Sequence, residues 1–260
     1  MKYDPISEVV NSIVSVFEEN TDYYTIGDVH GCAHEYLVLC NMLHKVSSDA
    51  GRNCKIIQLG DMIDRGPSFF LAVMADPADF KIMGNHEMNF LNEHYGNMQC
   101  RSNARQVNHD KLALVKDDQK RKDVIAALKN RSDILIMHDT IENVTHVFTH
   151  APIAGIENGF DLVNFLSSKS GSSFCLRSTP VDVNQIQSIT DGQLRMYHGH
   201  QSWEYVDIEQ QKLDQESLNV KCFNLDSSCV YGGSLTAMRV NDGEVFSVNA
   251  RKEYFTKQKR

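Results

Sequence analysis

Apolar positions along this chain come in short runs, and several of the runs end in a tight polar cluster. After Asp4-Pro5, a good helix start, Ile6, Val9, Val10, Ile13, Val14 and Phe17 recur at helical spacing, which predicts an N-terminal helix within residues 1–20. Tyr23 to Ile26 reads as a strand. It delivers Gly27-Asp28-Val29-His30-Gly31, after which Tyr36, Leu37, Cys40 and Leu43 mark an amphipathic helix. The pattern repeats with a strand over Cys54 to Leu59, the cluster Gly60-Asp61-Met62-Ile63-Asp64-Arg65-Gly66, and a helix over Pro67 to Ala75 with Pro at a tolerated first-turn position. A third, shorter strand over Phe80 to Met83 leads into Gly84-Asn85-His86-Glu87 and a helix through Leu91.

Residues 94–119 lack clean periodicity and read as an irregular or helical insertion able to shape a cleft. Val124, Ile125 and Leu128 predict a helix, and Ile134 to Met137 with Val144 to Thr149 predict a hairpin ending at His150. Asp161 to Ser168 reads as a helix, followed by a Ser/Gly-rich loop, Arg177 and a short element near Val181 to Ile189. From Leu194 onward the pattern is β: Arg195 to Tyr197, ending at His198-Gly199-His200, then Trp203 to Ile208, Val220 to Leu225, Ser234 to Val240 and Val245 to Val248. No repeat or linker divides the chain, so one domain over residues 1–260 is expected, with a frayed basic tail over 251–260.

A formal net charge of -8 supplies no basic field for a nucleic-acid polymer or an anionic membrane. The seven cysteines are odd in number and form no Cys-x-x-Cys pair, which fits reduced thiols. Neither a leader pattern nor an apolar stretch of the roughly 18 residues of a membrane span is present, so a cytoplasmic location is expected.

Asp28, His30, Asp61, Asn85, His150 and His200 each stand at or near a predicted strand end and offer the oxygen and nitrogen donors that a pair of divalent metal ions takes. Two ions about 3.5 to 4 Å apart can hold a bridging hydroxide for in-line attack on phosphorus, with no protein nucleophile. A neutral Asn85 ligand, in place of a third Asp, leaves more positive charge for phosphate. Arg65 and Arg177 are candidates to grip phosphoryl oxygens, since a planar guanidinium matches phosphate. His86 is a candidate acid for the leaving oxygen, oriented by Asp64.

Together the GDVHG, GDMIDRG, GNHE, THAP and GH motifs at Gly27, Gly60, Gly84, Thr149 and Gly199 resemble the signature of calcineurin-like metallophosphoesterases. Within that group the chain is similar to the phosphoprotein phosphatase family, especially its small bacterial and phage serine/threonine phosphatases. The resemblance implies a four-layer αββα sandwich, two mixed β-sheets flanked by helices. One metal would lie on Asp28, His30 and Asp61 and the other on Asp61, Asn85, His150 and His200, with Mn²⁺ expected and Fe or Zn²⁺ as the alternatives. Arg65 and Arg177 would bind phosphate, and Asp64 with His86 would form the acid dyad. The stretch Leu225 to Thr236 is similar to a closing motif of bacterial diadenosine tetraphosphate hydrolases, with Ser227-Ser228 where Thr-Gly is usual. If that Gly has positive φ, Ser228 is strained or the turn differs.

Singly, each Asp could be a helix cap and each His a structural residue; His198 reads as a structural strand histidine, and His34, His44, His94, His109, His138 and His146 as surface or core residues. The absence of a Cys followed by Arg six positions later excludes a cysteine-phosphate loop, and no Gly-x-x-x-x-Gly-Lys-Ser/Thr loop is present. Intact Glu87 and Asp64 favour a serine/threonine phosphoprotein phosphatase acting on phosphoproteins. The alternative is a dinucleoside polyphosphate hydrolase, and the third reading is a scaffold that has kept the fold and lost the chemistry.

Overall fold

The computed structural model describes residues 12–97, 99, 103–139, 141–153, 193–202, 207–214 and 220–256. Its strands are β1 (Ser12–Val16), β2 (Thr21–Ile26), β3 (Asn53–Gln58), β4 (Phe80–Lys81), β5 (Ile134–Asp139), β6 (Val144–Thr149), β7 (Gln193–His198), β8 (Val220–Asn224), β9 (Ser234–Arg239) and β10 (Val245–Asn249). Its helices are α1 (Ala33–Asp49), α2 (Phe69–Met74), α3 (Asn85–His94), α4 (Asn103–Ala113), α5 (Asp118–Lys129) and α6 (Ile208–Asp214).

The strands form two five-stranded mixed sheets, ordered β10-β9-β2-β3-β4 and β1-β5-β6-β7-β8. Strands β2, β3 and β4 run parallel, as do β6, β7 and β8. In the first sheet, alternate side chains go to opposite faces, as the period of two requires. Tyr24, Ile26 and Ile56 pack with Tyr36, Leu39, Cys40 and Leu43 of α1, while Tyr23, Ile57 and Leu59 pack with Leu135, Phe148, Tyr197 and Phe223 of the second sheet. Both faces of β2 and of the second half of β3 are therefore covered, and apolar residues stand side by side there, Tyr23 with Tyr24 and Ile56 with Ile57, rather than alternating with polar ones. On α1, Leu39 rather than Leu37 completes the inward stripe.

Three expectations are corrected. Ser12–Val16 is a strand, not the end of a helix: it pairs parallel with β5, placing Ile13 opposite Leu135. The run Ser-Ile-Val-Ser-Val fits a period of two as well as a helical one, and its β-branched residues suit a strand wherever backbone partners are on offer. Residues 1–11 lie outside the described residues. Ile208 opens α6 rather than closing a strand, because Asp207 caps the helix by accepting from Gln210 N at 2.9 Å; residues 203–206 lie outside the described ones. The first half of the tail is docked: Arg251 N and the Tyr254 hydroxyl donate to the buried Glu35 carboxylate at 3.0 and 2.7 Å, and Tyr254 N and Phe255 N donate to Val230 O. Within the expected insertion, α4 is helical, and Asp117 then caps α5 by accepting from Gln119 N and Lys120 N. The helix expected at Asp161 to Ser168 and the element near Val181 to Ile189 fall outside the described residues.

Candidate metal centre

The carboxyl ends of β2, β3 and β4 in one sheet meet those of β6 and β7 in the other, where polar loops of an open α/β sheet gather. Asp28 and His30 follow β2, Asp61, Asp64 and Arg65 follow β3, Asn85 and His86 open α3, His150 follows β6 and His200 follows β7. The predicted residues named here are thus drawn from both sheets into one place. Arg177 lies outside the described residues.

Backbone conformation marks the same residues. Of eight described non-glycine residues with positive φ, five are His30 (45°), Asp61 (50°), Asp64 (71°), Arg65 (67°) and His200 (68°). Such conformations cost free energy and persist only where surrounding bonds impose them. Glu87 imposes several: its buried carboxylate accepts from Asp61 N at 2.9 Å, Ile63 N at 3.1 Å and Gly84 N at 3.0 Å. Gln58 clamps Gly60 from both sides, donating to its O at 2.6 Å and accepting from its N at 3.1 Å, and is itself tied to Arg131 at 2.7 Å. Glycine is required at Gly199, where an added Cβ would overlap the Asp28 carboxylate.

The histidine tautomers follow from the backbone. His30 Nδ1 and His150 Nδ1 each face a carbonyl, Ile63 O and Leu59 O, at 2.9 Å. Each therefore donates through Nδ1 and turns its Nε2 lone pair into the site. Asp61 faces two ways. Its Oδ2 is 3.6 Å from His30 Nε2, and its Oδ1 is 3.4 Å from His150 Nε2 while also accepting from His86 N at 2.9 Å. Asp28 Oδ2 stands 3.7 Å from His30 Nε2, and its Oδ1 accepts from His200 N at 3.0 Å. Asn85 Oδ1 lies 2.9 Å from both His150 Nε2 and His200 Nδ1, which are 3.0 Å apart.

These separations fit a cation. Donor atoms bonded at about 2.1 Å to one octahedral ion stand about 3 Å from each other; the His150, His200 and Asn85 donors have that spacing, and Asp61 Oδ1 is 3.4 Å from His150 Nε2. At His150 the electrostatics favour a positive charge, proton or metal ion, on Nε2: burial opposes it, yet Asp61 and Asp28 outweigh burial and raise the pKa to about 10, whereas burial and Arg65 hold His30 well below the ordinary imidazole range. Burial would likewise raise Asp61, but His150, His86 and His30 hold it well below the usual carboxylate range, whereas burial and the nearby Asp226 push Asp28 up. A protein cation already leans on the site, since the Arg65 guanidinium contacts His30 Nε2 and lies 3.0 Å from His86 Nε2. The described residues hold two His/Asp clusters suited to a metal, His30-Asp61-His86 and Asp61-His150-His200. His198 belongs to neither; its Nδ1 faces Gly199 O at 2.9 Å, and burial lowers its pKa to about 4.

Beside the donors, His86 Nδ1 is 2.5 Å from Asp64 Oδ2, and Asp64 Oδ1 accepts from Asn108 Nδ2 at 2.6 Å. Sequence reasoning missed Asn108, because α4 has too weak a periodicity to show which residues point inward. It also missed Tyr231, whose ring centroid is 5.7 Å from the Arg65 guanidinium, and Asp226, whose pKa burial raises to about 6.

Two mixed sheets flanked by helices, with this His/Asp cluster on the loops where they join, define a metallophosphoesterase. The model of the calcineurin-like phosphoesterase family matches residues 23–209, and the chain belongs to that family. It is 24% identical over 250 residues to an asymmetrical bis(5'-nucleosyl)-tetraphosphatase of Halalkalibacterium halodurans, covering 87% of this chain and 93% of that one. It is 39% identical over 74 residues to a symmetrical bis(5'-nucleosyl)-tetraphosphatase of Buchnera aphidicola, but that match spans only 26% of this chain and 24% of the relative. In fold it is similar to the crystal structure of a candidate diadenosine tetraphosphatase, with TM-score 0.54, 19% identity, and 91% and 97% of the two chains covered. It is similarly close to a serine/threonine phosphatase of Saccharomyces cerevisiae, with TM-score 0.53, 11% identity, and 96% and 85% covered.

Proposed function

We propose that this metallophosphoesterase hydrolyses dinucleoside polyphosphates at a dinuclear centre. The observation that carries the substrate class is the alignment with the asymmetrical tetraphosphatase, which runs through nearly all of both chains. The two features that favoured phosphoproteins in the sequence do not read a substrate: Glu87 is spent on backbone N–H groups, and Asp64 on His86 and Asn108.

Asp28, His30 and Asp61 would hold one divalent ion and Asp61, Asn85, His150 and His200 the other, with Mn²⁺ first and Fe or Zn²⁺ next; such ions supply Lewis acidity toward a phosphoryl oxygen and acidify water. Arg65, beside His30 and His86, binds the phosphoryl group through its planar fork. His86 Nε2 passes a proton to the leaving oxygen, while Asp64 fixes the ring through Nδ1. Arg177 is retained as a second phosphate ligand on its sequence position alone. The free, mostly buried thiols among the described cysteines suit a reducing, cytoplasmic setting.

The same dyad supports a second reading, serine/threonine phosphatase activity. A nucleotide leaves as a stabilised phosphate anion, whereas serine leaves as a far more basic alkoxide, so a built proton donor benefits the second reaction more. The test offers Mn²⁺-loaded protein an equimolar mixture of diadenosine tetraphosphate and phosphoserine peptides, read by mass spectrometry, with His86→Asn as the contaminant control. Loss of the dinucleotide with survival of the peptides is the expected result. The reverse outcome replaces the proposal by the phosphoprotein reading.

A further inference from the structure

We infer that Asn108 is a positioning residue for the acid dyad, acting on His86 through Asp64; the inference rests on the reading of His86 as proton donor. Asn108 is 2% exposed on a helix whose neighbouring positions Gln106, Val107 and Asp110 are exposed. The carboxylate it meets can only accept, so its amide nitrogen is the atom that faces Asp64 Oδ1, at 2.6 Å. A carboxylate held by one oxygen turns readily about its terminal torsion, which has broad wells. With Oδ1 occupied by Asn108, Oδ2 is committed to His86 Nδ1 at 2.5 Å. That commitment holds the ring with Nδ1 protonated and Nε2 toward the site, 3.7 Å from Asp61 Oδ2.

The position of α4 is itself secured against α3, the helix that carries His86. Arg105 and His109, on the same face of α4 as Asn108, both bond Glu93: Arg105 Nε donates to Oε1 at 2.9 Å, and His109 Nε2 lies 3.1 Å from Oε2. His109 stacks on Phe90 with centroids 4.1 Å apart, and Arg105 Nη1 comes within 3.8 Å of Asp64 Oδ2. Asp64 therefore sits between a helix that presents the histidine and a helix that presents the amide. A stretch without clean periodicity in the sequence thus supplies the residue that supports the dyad.

The test compares p-nitrophenyl phosphate, whose leaving group needs little protonation, with phenyl phosphate, whose leaving group needs more. Asn108→Leu keeps the approximate volume and removes the donor; Asn108→Ala serves if the leucine does not fold. Melting temperature and bound Mn²⁺ are measured on each. The ratio of kcat for p-nitrophenyl over phenyl phosphate is expected to rise about 10-fold with KM nearly unchanged, a part of what a general acid contributes. In a His86→Asn background the same substitution is expected to leave the ratio alone, since the two act as a unit. An unchanged ratio in the Asn108 variants, or equal losses on both substrates, overturns the inference. If His86→Asn raises the ratio while the Asn108 variants do not, only the positioning role falls; if His86→Asn leaves the ratio unchanged, the proton-donor reading falls and takes this inference with it.

Discussion

Ser228 has φ 61° and ψ 37°, in the left-handed region that a side chain adopts at a cost. The turn is held by Asp226 Oδ1 accepting from Ser228 N at 3.1 Å and by Gly233 N donating to Ser228 O at 3.1 Å. Neither bond needs a side chain at position 228. Ser228→Gly is therefore expected to stabilise the protein by about 0.5 to 1 kcal/mol, the left-handed penalty less glycine's greater unfolded entropy. Calorimetry should show Tm rising by roughly 2 °C. A lower Tm would mean that the serine hydroxyl's own contacts outweigh the strain. Ser228 was legible from the sequence as a departure from a motif, and Asp28, Asp61 and His150 as residues that stand at or near the end of an apolar run. Asn108, Asp226 and Tyr231 were not, since their meaning comes from partners tens of positions or more away: Asn108 is separated from Asp64 by 44 residues.

At the scale of elements, the strand-loop-helix corners after β2, β3 and β4 could be read in advance because strand, loop and helix are consecutive in the chain. β1 could not, since its state depends on β5, whose backbone it meets only after folding. The corners are coupled to one another by Glu87, on the first turn of α3, which gathers N–H groups from the loop after β3 and from its own helix start. Glu87→Gln leaves one acceptor oxygen and introduces an NH₂ group that faces donors. Hydrogen bonds to a charged group contribute about 1.5 to 3 kcal/mol each, so a loss of about 3 kcal/mol is expected, read as a Tm lower by roughly 6 to 10 °C together with weaker Mn²⁺ binding. Burial raises the Glu87 pKa, against the pull of Arg131. A Tm within about 1 °C of the parent would show that the carboxyl is already protonated and that glutamine replaces it without loss.

For the whole molecule, the donors at the site come from two sheets that share one apolar layer, so a bound ion ties the sheets together. Mn²⁺ at 100 times its Kd is expected to add about 2.7 kcal/mol to stability, and chelation to remove it. Melting with and without chelator measures this, and a Tm indifferent to both would leave the scaffold reading standing. The two-sheet fold class came from the resemblance of the motifs to a known family, while the strand pattern itself showed only the strand-loop-helix corners of the first half; which strands neighbour which was not legible. The order β10-β9-β2-β3-β4 shows what this hides. β2 is an interior strand whose partner on one side, β9, follows it by some two hundred residues. During synthesis β2 emerges early and waits with the N–H and C=O groups of one edge unpaired, an invitation to pair with a neighbouring chain. The C-terminal strands thus act as a seal, and a ribosome that stops short of Ser234 releases a sticky half-sheet rather than a weakened enzyme.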